Sequence, residues 1–519
     1  MTSVPITFRA RRRASGLALI LLLGVAGCAR VAPPLNADIV AADAGVRECA
    51  QWLADLDEQV ARADVRDAEA YPIPGFPYLR VNRFLASFRL QVADDPAGFA
   101  AWEAQLGALD ARTRGYELKN LPPHALAALG ADDWTAAAVR VERCGALMSA
   151  LDRSDRGRRL SLVDHAQVPD DYADWKRIVG LYPLVRIPFF EFAKDWQDDA
   201  ARMFRDAQAG GSAAHHDVVR YGPPGPTVSA AQVASVMRDV KRDALGIPAF
   251  GTEDAELLFA AFAPIFEVET TGDFDRIGTL HWGGHEAPDV DVSSPVVYRR
   301  LAFTRYGSDT LVQIAYLIWF SQRPDDSWLD PLSGRLDGLF FRVTLDRTGR
   351  PLVYDSIHPC GCYHMFFPTP LVTPIAPPDP NVEWAFVPRI LPAIVAPDRI
   401  VLRLTSRAHA LTDIRIAASQ TNAGVSYALR DDGELRVLPT PTGTRSAYGE
   451  TGLVPGTDRG ERFAVWPLGI EDAGAMREWG RHATALVGRR QFDDADLIER
   501  RFALRSTEAT APAMHLHDR

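Results

Sequence analysis

The chain has 519 residues, of which 47% are hydrophobic and 24% charged, and its formal net charge is −10. This composition is ordinary for a globular protein and leaves room for two or three hydrophobic cores. Nucleic acids and anionic lipid surfaces attract clustered Lys and Arg, so the acidic balance excludes nucleic acid as an expected partner and disfavours anionic lipid.

The N-terminus has the layout of a secretory signal. Four arginines between positions 9 and 13 precede the apolar run GLALILLLGVAG (16–27), which is too short to span a bilayer and ends in small residues. The ending Val25-Ala26-Gly27-Cys28 resembles the lipobox of bacterial lipoproteins, in which the cysteine becomes the lipidated first residue of the mature chain.

The lipobox resemblance implies a signal peptide over residues 1–27 and a tether over 28–37. Cys28 would carry acyl chains such as palmitate, so the membrane is a partner through this lipid anchor. Because Ala29 and not Asp follows the cysteine, the resemblance implies sorting to the outer membrane. We therefore expect a cell-envelope protein that faces the periplasm.

Helical periodicity dominates residues 38–220, which we predict to be a helical domain. Cys49 and Cys144 lie on the apolar stripes of two predicted helices. In an oxidising compartment we expect them to form a disulfide rather than two buried free thiols. The apolar run within residues 170–196 is expected to pack in the interior between two domains rather than to form a docking surface.

Residues 228–505 are predicted to form a β-rich α+β domain, after a Pro/Gly break at 221–227 and a helix over 229–245. From about residue 275 the periodicity alternates, and the strand-like segments rich in β-branched and aromatic residues are 294–303, 309–320, 336–346 and 350–359. The last two are joined by turn residues with a glycine, which predicts a hairpin.

The rest of the chain predicts further strands over 399–407 and 413–419, a hairpin at Asp431-Asp432-Gly433, and a helix near 472–488. Residues 506–519 are expected to be a disordered tail. The predicted fold class is α+β, with an N-terminal helical region, an antiparallel β-rich domain and a C-terminal helix.

The segment SIHPCGCYHMFFP (356–368) places His358, Cys360, Cys362 and His364 at every second position. In an extended strand these side chains would share one face, but a rise of about 3.3 Å per residue would separate the two histidines by about 20 Å. One metal ion with ligand bonds of about 2.0–2.3 Å does not reach both. A shared site therefore requires a bend between the first histidine and the second cysteine.

A second cluster, HWGGHEAPD (281–289), offers His281 and His285 as further ligands for the two cysteines. Thiolate and imidazole together suit Zn²⁺ or Cu⁺. We therefore predict a metal site in the β-rich domain, with ligands drawn from Cys360, Cys362, His281, His285, His358 and His364.

Three other interpretations of these residues stay open. In one, Cys360 and Cys362 form a strained, redox-active disulfide, since Gly361 permits the tight turn. In another, one cysteine is the nucleophile of a hydrolase, with a nearby histidine as base and Asp355 or Glu286 to orient it. In the last, the pair only closes a structural corner of an envelope scaffolding or interaction protein.

No phosphate-binding loop, G-x-S-x-G elbow or H-E-x-x-H motif occurs in the sequence, so no nucleotide cofactor is expected and no enzyme class is indicated. His409 and His482 lie in apolar surroundings that are typical of hydrogen-bonded core histidines. Arg299, Arg300 and Arg305 are interpreted as edge-strand charges.

Overall fold

The computed structural model describes residues 43–210, 217–225, 227–283, 287–325, 327, 330–392, 397–418 and 424–505. Within these ranges the chain forms eleven helices and nineteen strands in several sheets, so the predicted α+β class is confirmed. None of the helices found there is long and apolar enough to cross a membrane. The lipobox with Cys28, the tether over 28–37 and the tail over 506–519 lie outside the described residues.

Most of the helices lie in the first half of the chain. They are α1 (Ala44–Arg62), α2 (Arg83–Ala86), α3 (Pro96–Asn120), α4 (Pro123–Ala128), α5 (Trp134–Ser154), α6 (Arg156–His165), α7 (Asp174–Val179), α8 (Tyr182–Gln208), α9 (Ala230–Asp239), α10 (Thr252–Phe262) and α11 (Arg462–Val465). Asp43, Asp133 and Asp155 begin α1, α5 and α6, because their carboxylates accept a first-turn backbone N–H that would otherwise have no partner.

Helices α1, α3 and α5 pack around a small hairpin near the N-terminus. Their shared core contains Leu53, Trp102 and Met148, all buried. Cys49 on α1 and Cys144 on α5 are joined as a disulfide, with 5.2 Å between their Cα atoms, as the sequence led us to expect. The disulfide therefore ties the first helix to the helical body.

The strands follow mainly after residue 216. They are β1 (Tyr71–Ile73), β2 (Phe76–Val81), β3 (Asp217–Gly222), β4 (Ile265–Thr270), β5 (Thr279–Trp282), β6 (Pro288–Asp291), β7 (Val296–Tyr306), β8 (Asp309–Arg323), β9 (Gly334–Leu345), β10 (Pro351–Ile357), β11 (Met365–Pro368), β12 (Val372–Pro374), β13 (Arg399–Leu404), β14 (Leu411–Ala417), β15 (Val425–Ser426), β16 (Ala428–Asp431), β17 (Leu438–Thr440), β18 (Gly443–Arg445) and β19 (Phe502–Leu504).

A six-stranded sheet in the order β11-β10-β9-β8-β7-β16 forms the centre of the molecule. All of its pairs are antiparallel except β7 with β16, and the predicted β9–β10 hairpin is confirmed. Strand β8 is buried almost throughout, because separate hydrophobic clusters cover the two faces of the sheet: Tyr316 lies in one and Trp319 in the other. Coverage on both faces explains why this strand reads as a continuous apolar run.

A five-stranded mixed sheet, in the order β14-β13-β4-β3-β15, packs across one face of the central sheet. Phe266 and Leu402 from it meet Tyr316 and Phe341 from the central sheet in one core. Helix α8 lies against β14 and brings Phe204 into the same core.

Two predictions near the C-terminus are wrong. Residues 472–488 form turns and irregular backbone instead of a C-terminal helix, because Gly474, Gly480 and Gly488 adopt positive φ angles. The hairpin at 431–433 does not form either: β16 pairs with β7, β17 pairs with β18, and a 3-10 turn over Asp432–Arg436 separates them.

Candidate functional site

The C-G-C turn, residues 358–364, joins β10 to β11. Strand β10 ends at Ile357 and the chain reverses, so that Ser356 lies opposite Met365 in the antiparallel register. The backbone N–H of His358 donates to the carbonyl of Cys362 over 3.0 Å, and that of Gly361 donates to the carbonyl of His358 over 2.8 Å. The bend that a shared site requires is therefore present, and the single extended strand is not.

Gly361 is the residue that permits this turn. Its φ angle is +92°, in the left-handed region that favours glycine. A Cβ atom at this position would lie 2.6 Å from the carbonyl oxygen of Ala483, which is fixed backbone. The close approach of two backbone segments thus requires glycine between the cysteines.

The thiols of Cys360 and Cys362 are both free and hydrogen-bonded to each other. Cys360 is buried, with 5% of its surface exposed, whereas Cys362 is partly exposed. The hydrogen bond from Cys362 lowers the pKa of the Cys360 thiol against the opposing effect of burial, and Arg459 adds to this. Hydrogen bonding to the Cys360 sulfur and burial raise the pKa of Cys362, so the first proton lost comes from Cys360.

His358 belongs to a buried chain of acidic and basic groups. Its Nδ1 lies 3.2 Å from Asp337, whose second oxygen lies 3.0 Å from Nδ1 of His409; Nε2 of His409 lies 3.3 Å from Asp275. Burial lowers the pKa of His358, whereas the two carboxylates beside His409 raise the pKa of that imidazole despite its burial. His409 is thus the more readily protonated of the two imidazoles.

His364 is held by a second buried pair. Its Nε2 lies 3.0 Å from Asp355, which also forms a bidentate salt bridge with Arg342, at 3.0 and 2.6 Å. Burial lowers the pKa of His364 to about 3, so the imidazole is neutral at pH 7. The two histidines of the segment therefore each bind an aspartate at one end of the turn and fix its shape.

The structure describes only some of the residues of the predicted composite metal site. His281 lies in β5, opposite Asp289 of β6 in a separate two-stranded sheet, and is partly buried. Over the part of the chain that the structure describes, no three His, Cys, Asp or Glu side chains are placed to hold a metal ion. His285 and Glu286 lie outside that part, so the metal site with Zn²⁺ or Cu⁺ stays a prediction.

The sequence did not predict a cluster of carboxylates around Arg436. The Arg436 guanidinium lies 2.6 Å from both Glu69 and Glu478 and 3.3 Å from Asp67, all buried. Burial raises the pKa of Glu478 to about 8, whereas Arg300 and Arg436 outweigh burial at Glu69 and hold its pKa at about 2. These residues are far apart in the chain, so no local pattern indicates the cluster.

The same cluster borders a cleft of about 510 Å³ between α3 and β7, lined also by Arg299, Tyr116 and Trp479. Its charges pair with one another: Arg300 contacts Glu69 and Asp432, at 2.6 and 2.5 Å. Clefts between structural units are common ligand sites, but these paired groups hold the helical body to the sheet.

Among the described residues, the C-G-C turn is the place where two reactive side chains of the predicted set meet. No family model, no curated protein and no solved structure matches this chain. The choice of the C-G-C turn as the candidate site therefore depends on its geometry alone.

Proposed function

We propose that this protein is a lipid-anchored envelope protein whose C-G-C turn exchanges a disulfide with partner thiols. The observation that carries the proposal is the contact between two free thiols across one glycine, with one of them partly exposed. A disulfide closed over three residues is strained, and strained disulfides are the oxidising, readily exchanging ones.

The unequal exposure of the two sulfurs assigns their roles. In the oxidised state, a partner thiolate attacks the exposed sulfur of Cys362 and forms a mixed disulfide. The bond to Cys360 breaks, and Cys360 leaves as the thiolate, which the Arg459 guanidinium stabilises. A second partner thiol then releases Cys362, so that two electrons and two protons pass from the partner dithiol to the pair.

The residues around the turn hold it in a fixed shape, which supports disulfide exchange. Asp337 and Asp355 hold the histidines on either side of the cysteines, and both carboxylates are fully buried. The Arg459 guanidinium favours the Cys360 thiolate. The frame therefore keeps both sulfurs in place while the bond between them is made and broken.

Thiol counting against redox potential tests the proposal. The chain from residue 29, which keeps every described residue, is equilibrated in glutathione buffers and its free thiols are alkylated and counted by mass spectrometry. We expect Cys360 and Cys362 to change together between two thiols and none within the glutathione range, while the Cys49–Cys144 disulfide stays closed. A pair that stays closed, or stays open, throughout that range would refute the exchange and leave a structural corner.

Metal binding by the same sulfurs is the second candidate, favoured by their convergence on one point. Two thiolates are soft ligands for Cu⁺ or Zn²⁺, and His281 and His285 are the predicted additional ligands. Elemental analysis of the same preparation decides it. Stoichiometric metal that is lost in the Cys360→Ser/Cys362→Ser variant supports the metal site, and the His281→Ala/His285→Ala variant tests the composite ligand set.

A further inference from the structure

An exposed apolar surface lies on α7, α8 and α11 and on the residues that directly follow α7 and α11. Within residues 170–196 the sequence led us to expect interior packing. For the members of the surface in that range the expectation is wrong, because between 60% and 75% of each residue is exposed. We call this surface the apolar patch; its members are Trp175, Ile178, Val179, Leu181, Leu184, Ile187, Phe192, Phe463 and Trp466.

The elements that carry the apolar patch contact one another. Helices α7 and α8 both contact the 3-10 turn over Trp466–Leu468 that follows α11. The opposite face of α8 is apolar too: Tyr182, Val185 and Phe189 pack on the cluster that contains Leu468. The start of α8 is therefore apolar both on the side that packs on the core and on the side that is exposed. A helix that is apolar on both sides is typically buried on both, so the exposed side is expected to contact a second apolar surface.

The area of the apolar patch exceeds what a free surface normally carries. Nine large side chains exposed to these extents present on the order of 1,000 Å² of apolar surface, against roughly 300–600 Å² for the largest patch of a typical monomer. Such a surface needs an occupant.

The composition of the segment points to the occupant. Residues 175–190, WKRIVGLYPLVRIPFF, contain no acidic residue, in a chain whose net charge is −10. Of the three basic residues in this range, Lys176 pairs with Glu471 and Arg177 is buried against backbone carbonyls, so apolar side chains form most of this surface. Insertion of apolar side chains depends on the area that is buried, so the acidity of the whole chain does not exclude it. Aromatic side chains set among aliphatic ones are characteristic of segments that lie in the membrane interface.

We propose that the apolar patch inserts into the headgroup region of a phospholipid bilayer. The inference takes from the proposed function only the lipid anchor at Cys28. Residues 29–42 separate that anchor from the first described residue, and a chain of this length spans about 50 Å when fully extended. The anchor thus keeps the described part of the chain close to the same membrane.

Membrane contact through this surface also bears on the C-G-C turn. Trp196, further along α8, packs against Tyr363 of the turn, with 5.2 Å between the ring centroids and an angle of 41° between the rings. One helix therefore carries part of the apolar patch and covers the turn, so insertion would hold the dithiol close to the membrane surface.

Vesicle flotation tests the insertion. The chain from residue 29, which lacks the signal and has no acyl chain, is mixed with vesicles of phosphatidylethanolamine and phosphatidylglycerol in a 3:1 ratio. We expect the wild type to float with the vesicles and the Ile178→Asp/Leu184→Asp variant to bind at least tenfold more weakly. Both substituted residues are more than half exposed, so the variant keeps its core.

The matched control is Leu90→Asp/Val139→Asp, which adds the same charges at two exposed apolar residues outside the apolar patch. Equal loss in the control, or no flotation of the wild type, would overturn the proposal. Dimerisation of the wild type that the patch variant abolishes, without vesicle binding, would assign the surface to a second copy. The chain used for flotation starts at residue 29 and carries no acyl group. A negative flotation result therefore says nothing about lipidation of Cys28 or about the thiol titration, and each proposal can fail separately.

Discussion

Replacement of Arg342 by methionine should be among the most damaging single substitutions in the central sheet. The guanidinium makes two hydrogen bonds to Asp355 and a third, of 2.6 Å, to the carbonyl of Phe492. It also lies 3.7 Å from the centroid of the Phe492 ring. Methionine preserves much of the side-chain volume but leaves the carboxylate of Asp355 buried without a countercharge.

The expected loss follows from the burial of both partners. Arg342 and Asp355 expose 1% and 0% of their side chains, and removal of one partner from a buried ion pair costs about 3–5 kcal/mol. In the wild type His364 adds no positive charge beside Asp355, because burial lowers its pKa to about 3. We therefore expect Arg342→Met to lower the free energy of unfolding by about 3–5 kcal/mol, measured by urea denaturation with circular dichroism.

The control is Arg347→Met, which breaks a surface pair with Asp309 in which both side chains are about half exposed. Exposed pairs contribute about 0–1 kcal/mol, so this variant should resemble the wild type. Adding Asp355→Leu to Arg342→Met should restore part of the loss, since the unpaired charge is gone. If Arg342→Met costs no more than Arg347→Met, or if the double variant is the less stable, the buried-charge reasoning is refuted.

Four further outcomes are expected. Gly361→Ala should destabilise the protein by at least about 2 kcal/mol, because the residue has positive φ and no room for a Cβ. Gly115→Ala, in the interior of α3 with open space around it, should stabilise the protein by up to about 1 kcal/mol, and both variants are measured by the same urea denaturation. The folded-state pKa of His364, about 3, lies below its unfolded value of about 6.5. The stability that this residue contributes is therefore complete above pH 6.5 and is lost as the pH decreases toward 3. Between pH 6 and pH 4 the wild type should therefore lose about 2–3 kcal/mol relative to His364→Asn in urea titrations; equal slopes would contradict this. Opening the Cys49–Cys144 disulfide by substituting both residues with alanine should cost about 4–5 kcal/mol, given a sequence separation of 95 residues, and a loss below 1 kcal/mol would contradict the chain-entropy argument.

Where the fold follows local pattern, the sequence predicted it well. The helix predicted over 229–245 begins as expected, since Ser229 and Gln232 form a capping box at the start of α9, but it ends earlier than predicted, at Asp239. The hairpin of β9 and β10 forms because a glycine-containing turn separates two runs of alternating apolar residues. In both cases the residues that decide the structure are neighbours in the chain.

Where long-range contacts compete, local pattern failed. The residues Asp431-Asp432-Gly433 favour a hairpin turn, but Arg436 is buried in ion pairs with carboxylates at positions 67, 69 and 478. These long-range ion pairs direct the following backbone away from a hairpin. In the C-G-C turn the sequence indicated which residues matter and that the chain must bend. It did not indicate that His358 and His364 are engaged by Asp337 and Asp355, the first of which comes from another strand.

By itself, the sequence determined the α+β class, the order of helices before strands and the pairing of Cys49 with Cys144, because each depends on the spacing of apolar residues or on the small number of cysteines. Only the tertiary structure decided that the two thiols of the C-G-C turn face each other and that the apolar run of α7 and α8 stays exposed. Both depend on which distant segments pack nearby. A hydrophobic run reads the same in a sequence whether it meets a core or solvent, and only the packed chain distinguishes the two.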